Sequence, residues 1–346
     1  MEKLKLKILV VFLFCTLLLS GFAVQGFSCN EIVQEENNFY FVHITDTHVM
    51  HKLYDRDEST KKIFTSVIEK ITSFDEKPAF VAITGDLVEW GGSGISGALN
   101  CKTFADCLYE KDGRLYADVD YNIPVYTTPG NHDYCFNYNL RNYHRFIDKN
   151  HVDEKDRYNV TYGNVELFFI DSGPNHYFHP KYWTDIVGDG LYKCDINWLE
   201  NKLSNCNSEK KIVLMHHPAI NERRDDGSMG GVIFRNREEF IELCETYNVN
   251  LVLAGHTHNS RVYDSDEEMY DNYPINSSLY STLYVQSDDC KQGCHYRNVS
   301  IVGNDIWLGG SEEVNVNFID SQDIDETTIS HLTFLNRRTP IQASGS

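Results

Sequence analysis

Six short apolar runs recur along the chain, and each stops at a polar tip. They are residues 39–44, 79–83, 123–126, 165–170, 211–215 and 249–254. Runs this short and apolar are what strands buried on both faces require, so the pattern predicts an α/β fold with layered sheets. The tips are Asp46 and His48, Gly85-Asp86, Gly130-Asn131-His132-Asp133, Asp171-Ser172, His216-His217 and Gly255-His256-Thr257-His258. Five of the six deliver Asp, Asn or His donors. In such folds ligands bind outside the carboxyl ends of the strands. Residues as distant in sequence as Asp46 and His258 are thereby gathered at one rim.

The donors are oxygen and imidazole nitrogen, with no thiolate. That mixture suits Zn, Mn or Fe and differs from the cysteine-rich sets of structural zinc. Asp46 and His48 lie two apart on an extended segment and point the same way, as do His256 and His258. Asp86 has two carboxylate oxygens and can bridge two ions. One site would then be Asp46, His48, Asp86 and His258; the other would be Asp86, Asn131, His216 and His256. Two ions about 3.5–4 Å apart share a hydroxide that attacks phosphorus, and they neutralise the phosphate oxygens. His132 is expected to face the substrate and protonate the leaving group. Asp133 is expected to hold its imidazole in the right tautomer.

The blocks Asp46-x-His48, Gly85-Asp86, Gly130-Asn131-His132-Asp133, His216 and Gly255-His256-x-His258 resemble the calcineurin-like metallophosphoesterase family in type and in order. The resemblance spans Asp46 to His258 and implies a two-sheet αββα sandwich with a dinuclear centre. The segments Asp171-Ser172-Gly173, Trp198-Leu199 and Leu214-Met215-His216-His217-Pro218 are most similar to the bacterial-type phosphodiesterase branch. The implied activity is metal-dependent hydrolysis of small phosphate esters, diesters slightly favoured over monoesters. A non-catalytic exported binding protein on the same fold and a sphingomyelinase-like hydrolase of lipid headgroups are the alternatives. The tyrosine ligand of purple acid phosphatases is missing after Gly85-Asp86, where Leu87-Val88-Glu89 stands.

Three long connections, residues 89–122, 173–192 and 219–237, are expected to wall the pocket. The first carries the turn-forming Gly91, Gly92 and Gly94. Candidate substrate contacts are His217, Tyr134, His176, His179 and Arg235, with Arg223 and Arg224 nearby. His43 precedes the first tip and reads as a core residue. Residues 279–286 and 298–307 look like strands that would complete a second sheet.

The formal charge of −20 repels nucleic-acid phosphates and excludes a broad grip on DNA or RNA. A small anionic substrate remains compatible, because bound ions reverse the field locally. Residues 1–28 read as a secretory signal peptide: Lys3, Lys5 and Lys7, an apolar run over residues 8–19, then small residues. Its removal shifts the charge to −22, since it holds three lysines and one glutamate. No transmembrane span is expected after that removal, and the product is expected to be secreted or held at the cell surface. Cys29, just beyond the leader, is a possible lipid anchor. The domain is expected over residues 37–310, with residues 311–346 a C-terminal extension packed on it. Export makes disulfides compatible. Cys101 with Cys107 and Cys290 with Cys294 are the nearest pairs, whereas Cys244 sits in an apolar helical stretch and reads as core.

Overall fold

In the computed structural model the described residues are 38–92, 94–108, 123–135, 140–148, 156–174 and 190–314. The expected signal peptide, Cys29, His176, His179 and residues 315–346 lie outside them.

Strand β1 (Asn38–Ile44) shows how the layers arise. Its side chains alternate between faces. Phe39 and Phe41 enter a core shared with the second sheet, while Val42 and Ile44 enter another beneath helices. The first sheet runs in the order β3 (Val125–Thr128), β2 (Val81–Thr84), β1, β11 (His295–Val302), β12 (Asp305–Glu313) and β9 (Ile275–Asn276). Its first three strands are parallel; β11 pairs antiparallel with β1. The second sheet runs β4 (Tyr158–Tyr162), β5 (Val165–Phe169), β6 (Lys210–Leu214), β7 (Leu251–Ala254), β10 (Leu283–Gln286) and β8 (Arg261–Tyr263). Strands β5, β6, β7 and β10 are parallel.

Helix α1 (Ser59–Thr72) places Ile63, Phe64, Val67, Ile68 and Ile71 against the outer face of the first sheet, as their spacing predicts. Helix α2 (Gly94–Leu108) joins it there through Cys101, Phe104 and Leu108. Short helices α3 (Asn131–Tyr134) and α4 (Arg141–Phe146) follow. Helices α5 (Lys193–Ser204) and α6 (Arg237–Thr246) cover the second sheet through Ile196, Leu199, Phe240 and Leu243. A last short helix, α7, is Cys290–Gly293. The result is the αββα sandwich, with three apolar cores between four layers.

Three details differ from the sequence reading. The glycine-rich connection after residue 89 contains α2, because its turn formers are confined to the helix entry. Residues 298–307 are not one strand but parts of the β11–β12 hairpin, which turns at Gly303 and extends the first sheet, not the second. Strand β12 runs on past residue 310 to Glu313. Strand β4 had no apolar signature, as an edge strand with one covered face does not need one. Cys244 is buried in the outer core, as expected. Cys101, Cys107, Cys290 and Cys294 are free thiols. Among the described residues no helix is long and apolar enough to cross a membrane.

Candidate metal centre

Strands β1, β2, β6 and β7 end at the same edge of the sandwich, and β3 ends beside them. The chain leaves each strand through a tight reversal. Asp46, His48, Asp86, His256 and His258 all take left-handed backbone angles, with φ between 44° and 68°. Side chains rarely tolerate that region, and such strain concentrates at functional sites. The glycine before a donor is there for room. A Cβ on Gly85 would lie 2.5 Å from the His216 ring, and one on Gly255 would lie 2.3 Å from an Asp46 carboxylate oxygen.

The donors converge in two groups. Asp46 Oδ1 lies 3.3 Å from His258 Nε2 and 3.7 Å from His48 Nε2. His48 Nε2 is also 3.7 Å from Asp86 Oδ2. On the other side, His216 Nε2 lies 3.3 Å from that same Asp86 oxygen, 3.1 Å from Asn131 Oδ1 and 3.3 Å from His256 Nδ1. Ligands about 2.1 Å from one ion at tetrahedral angles are roughly 3.4 Å apart, so both groups have the right span. Asp86 Oδ2 belongs to both, as a bridge must.

The polar accounting supports the same reading. Asp46 Oδ1 and His48 Nε2 are buried and have no hydrogen-bond partner. Orphaned buried donors and acceptors are costly unless something else satisfies them. The other atoms of these groups are committed elsewhere. Asp46 Oδ2 accepts from the His256 amide and the Thr45 hydroxyl. Asp86 Oδ1 accepts from the His132 amide. His216 Nδ1 donates to the Thr84 carbonyl, which turns Nε2 toward the centre. The residues present therefore fit a pair of metal ions.

Without ions the charges answer one another. Burial alone would raise the Asp46 and Asp86 carboxyls, yet His216 and the neighbouring imidazoles hold both well below the usual range. In return, burial opposes charge on His48 and His216, but their carboxylate partners push both up to about 9. The carboxylates of Asp289 and Asp46 push His258 up to about 10. Burial and the His216 cation push His256 down to about 4.

Residues 39–260 match the sequence profile of the calcineurin-like phosphoesterases. The chain belongs to that family. A Coxiella burnetii protein named as a probable cyclic nucleotide phosphodiesterase is 25% identical over 167 residues, covering 47% of this chain and 59% of that protein. The Mre11 DNA double-strand break repair protein of Methanococcus maripaludis is 34% identical over 94 residues, 27% of this chain and 23% of that one. The chain thus spans about three fifths and about a quarter of the two curated relatives it matches. The Plasmodium inner-membrane-complex anchor GAP50 superposes with a TM-score of 0.49 at 15% identity, covering 89% of this chain and 99% of that one. That score bears on neither fold nor function, and the family assignment rests on the sequence match.

The phosphoesterase blocks named in the sequence thus meet at one rim, and His132 joins them, its Nε2 4.0 Å from Asp86 Oδ2. Asp133 corrects the expectation. Its buried carboxylate accepts from the amides of Gly130, Leu87 and Val88, and burial with the nearby Asp86 pushes it up to about 7. It ties the loop after β2 to the loop after β3 and does not hold the His132 ring. That ring donates from Nδ1 to the Glu89 carbonyl at 2.7 Å, which presents Nε2 to the centre.

The His217 ring lies tilted against that of His256, centroids 4.3 Å apart, while Ser172 engages its Nδ1 at 2.8 Å. Tyr134 is buried and donates to Asp171, so it packs behind the tips and does not line an open pocket. Arg235 lies over the Tyr192 ring. Arg223 pairs with Glu267 at the surface. Arg224 is exposed. His43 is buried between Thr84 and Ser287, and burial lowers it to about 3. Two residues were missed. Glu89 places its carboxylate 2.9 Å from His48 Nδ1, and Asp289 does the same for His258 Nδ1 at 2.9 Å. Glu89 follows Asp86 by three and was readable as a neighbour. Asp289 comes from α7's entry, far from every motif, and had no signal.

Proposed function

We propose that the chain is an exported, two-metal hydrolase of small phosphate esters, with diesters preferred. The observation that carries this is the shared Asp86 oxygen between two converging donor groups, with His132 Nε2 at their mouth. Ions held there supply Lewis acidity and a water acidic enough to attack at neutral pH. The chain's own residues do the rest. The His132 ring is fixed by the Glu89 carbonyl at Nδ1, which leaves Nε2 as the atom that serves the departing oxygen. As water bonds to phosphorus and the P–O bond to the alcohol breaks, Nε2 hands its proton to the departing oxygen. The proton shed by the water passes to solvent, and His132 is reprotonated from there.

The diester preference is supported by the similarity to the Coxiella phosphodiesterase and by the Leu214-Met215-His216-His217-Pro218 segment. Export is supported by the composition of residues 1–28. The net charge of −20 favours a small substrate over a nucleic-acid polymer. The test is metal analysis together with hydrolysis of bis(p-nitrophenyl) phosphate and p-nitrophenyl phosphate, with and without chelator. About two ions per chain and chelator-sensitive turnover are expected. Absence of both after reconstitution with Mn, Zn and Fe refutes the hydrolase.

A further inference from the structure

Next to His132 the surface changes character. Trp90 is bracketed by that residue: the Glu89 carbonyl accepts from His132 Nδ1, and the Gly91 amide donates to the His132 carbonyl at 2.9 Å. The backbone on both sides of Trp90 is thereby tied to His132. Yet Trp90 remains 40% exposed, and its ring meets Tyr54, equally exposed, edge to face at 5.9 Å. Leu53 beside them is 66% exposed.

This cluster is built, not incidental. Buried Asn100 of α2 accepts from the His51 amide at 2.9 Å and donates to the Trp90 carbonyl at 3.4 Å. The Leu53 amide in turn donates to His51 Nδ1. One buried amide therefore ties both apolar segments to the metal rim. The opposite wall, which passes His256 at Gly231, is different. Its tip, Glu222, Arg223, Arg224, Asp225 and Asp226, is exposed and charged, and its one large exposed apolar side chain, Phe234, has no exposed aromatic partner beside it in sequence. Adjacent exposed aromatics with no core to fill are typical of recognition surfaces.

We infer that Trp90, Tyr54 and Leu53 form a leaving-group subsite that selects phosphate esters whose departing alcohol carries a planar, apolar group. The inference rests on His132 being the proton donor, because that fixes on which side the alcohol leaves. A flat group over Trp90 then stays stacked while His132 protonates the oxygen to which it is attached. An alcohol with a short alkyl group leaves the rings wet and gains nothing from them.

The test uses the metal-loaded full chain and two methyl diesters, one with a 2-phenylethyl and one with an ethyl leaving group. Comparing variant with wild type on each substrate cancels their intrinsic reactivity. Trp90→Ala should lower kcat/KM for the phenylethyl ester roughly ten- to thirtyfold more than for the ethyl ester, the size of one lost stack. Trp90→Phe should recover most of the difference. An equal loss on both esters overturns the subsite, because Trp90 would then only hold the His132 loop. No loss on either overturns it as well. Binding is measured separately, with 2-phenylethylphosphonate against ethylphosphonate by calorimetry. A phenyl preference that disappears in Trp90→Ala, in a protein that hydrolyses nothing, sustains the aryl-binding site but refutes the hydrolase and with it the leaving-group role. Hydrolysis without any phenyl preference in either assay does the reverse.

Discussion

Loading the metal-free chain with two equivalents of zinc at pH 7 should expel about three protons. The number follows from the centre. His48 and His216 are pushed up to about 9 and His258 to about 10, so all three are cations at neutral pH. An ion accepts only the neutral ring, so each must release a proton. His256 is pushed down to about 4 and is already neutral, and Asp46 and Asp86 are already carboxylates. A water made acidic by the ions adds up to about one proton more. The overall association constant should therefore rise on the order of a thousandfold per pH unit from pH 7 toward about pH 9, then about tenfold per unit until about pH 10, where it flattens. The assay is calorimetry at pH 7 in two buffers of different ionisation enthalpy, where the difference in heat counts protons. His258→Gln should lower the count by one while the other group still binds. Release of fewer than one proton would show that the imidazoles are neutral in the free protein and that the carboxylates do not govern them.

The same charges set how the metal-free protein responds to pH. Histidines raised on folding contribute stability that is complete below about pH 6.5 and lost as pH rises through 9 to 10. In chelator the melting temperature should fall over that interval; a flat profile contradicts it. At the acid end the lowered Asp46 and Asp86 contribute stability present above about pH 3.8 and lost as pH falls below it. Gly85→Ala must fit a Cβ 2.5 Å from the His216 ring at φ 74°, so it should cost at least about 2 kcal/mol and reduce bound metal to about one ion per chain. Urea unfolding and metal analysis read both, and a variant with wild-type stability and two ions would count against the packing described. His132→Ala should lower kcat by about 10²–10⁴ with metal content unchanged, whereas equal turnover would remove His132 from the chemistry.

How far the site could be read from the chain depends on what each residue answers to. Asp46, His48, Asp86, Asn131, His216, His256 and His258 were legible because each sits at the end of an apolar run, where strand geometry alone dictates position. The preceding glycines were legible for the same reason, since the close approach they permit lies next to them in sequence. Asp133 was misread because adjacency to His132 suggested partnership. Successive residues in α3 point in different directions, and its carboxylate turns inward to the amides of Gly130, Leu87 and Val88. Asp289 was invisible because nothing local marks it; α7's entry reaches His258 only after β10 has taken its place beside β7.

The sequence by itself determined that the donors sit at strand ends, their chemistry and the helical layer of α1, because periodicity and strand ends are local properties. Only the tertiary structure decided which carboxylate orients which imidazole, that the β11–β12 hairpin extends the first sheet, and that the backbone around Trp90 is tied to His132 while its ring meets Tyr54. Those outcomes join segments separated by dozens or hundreds of residues, and distance along the chain carries no information about them until the two sheets are packed face to face.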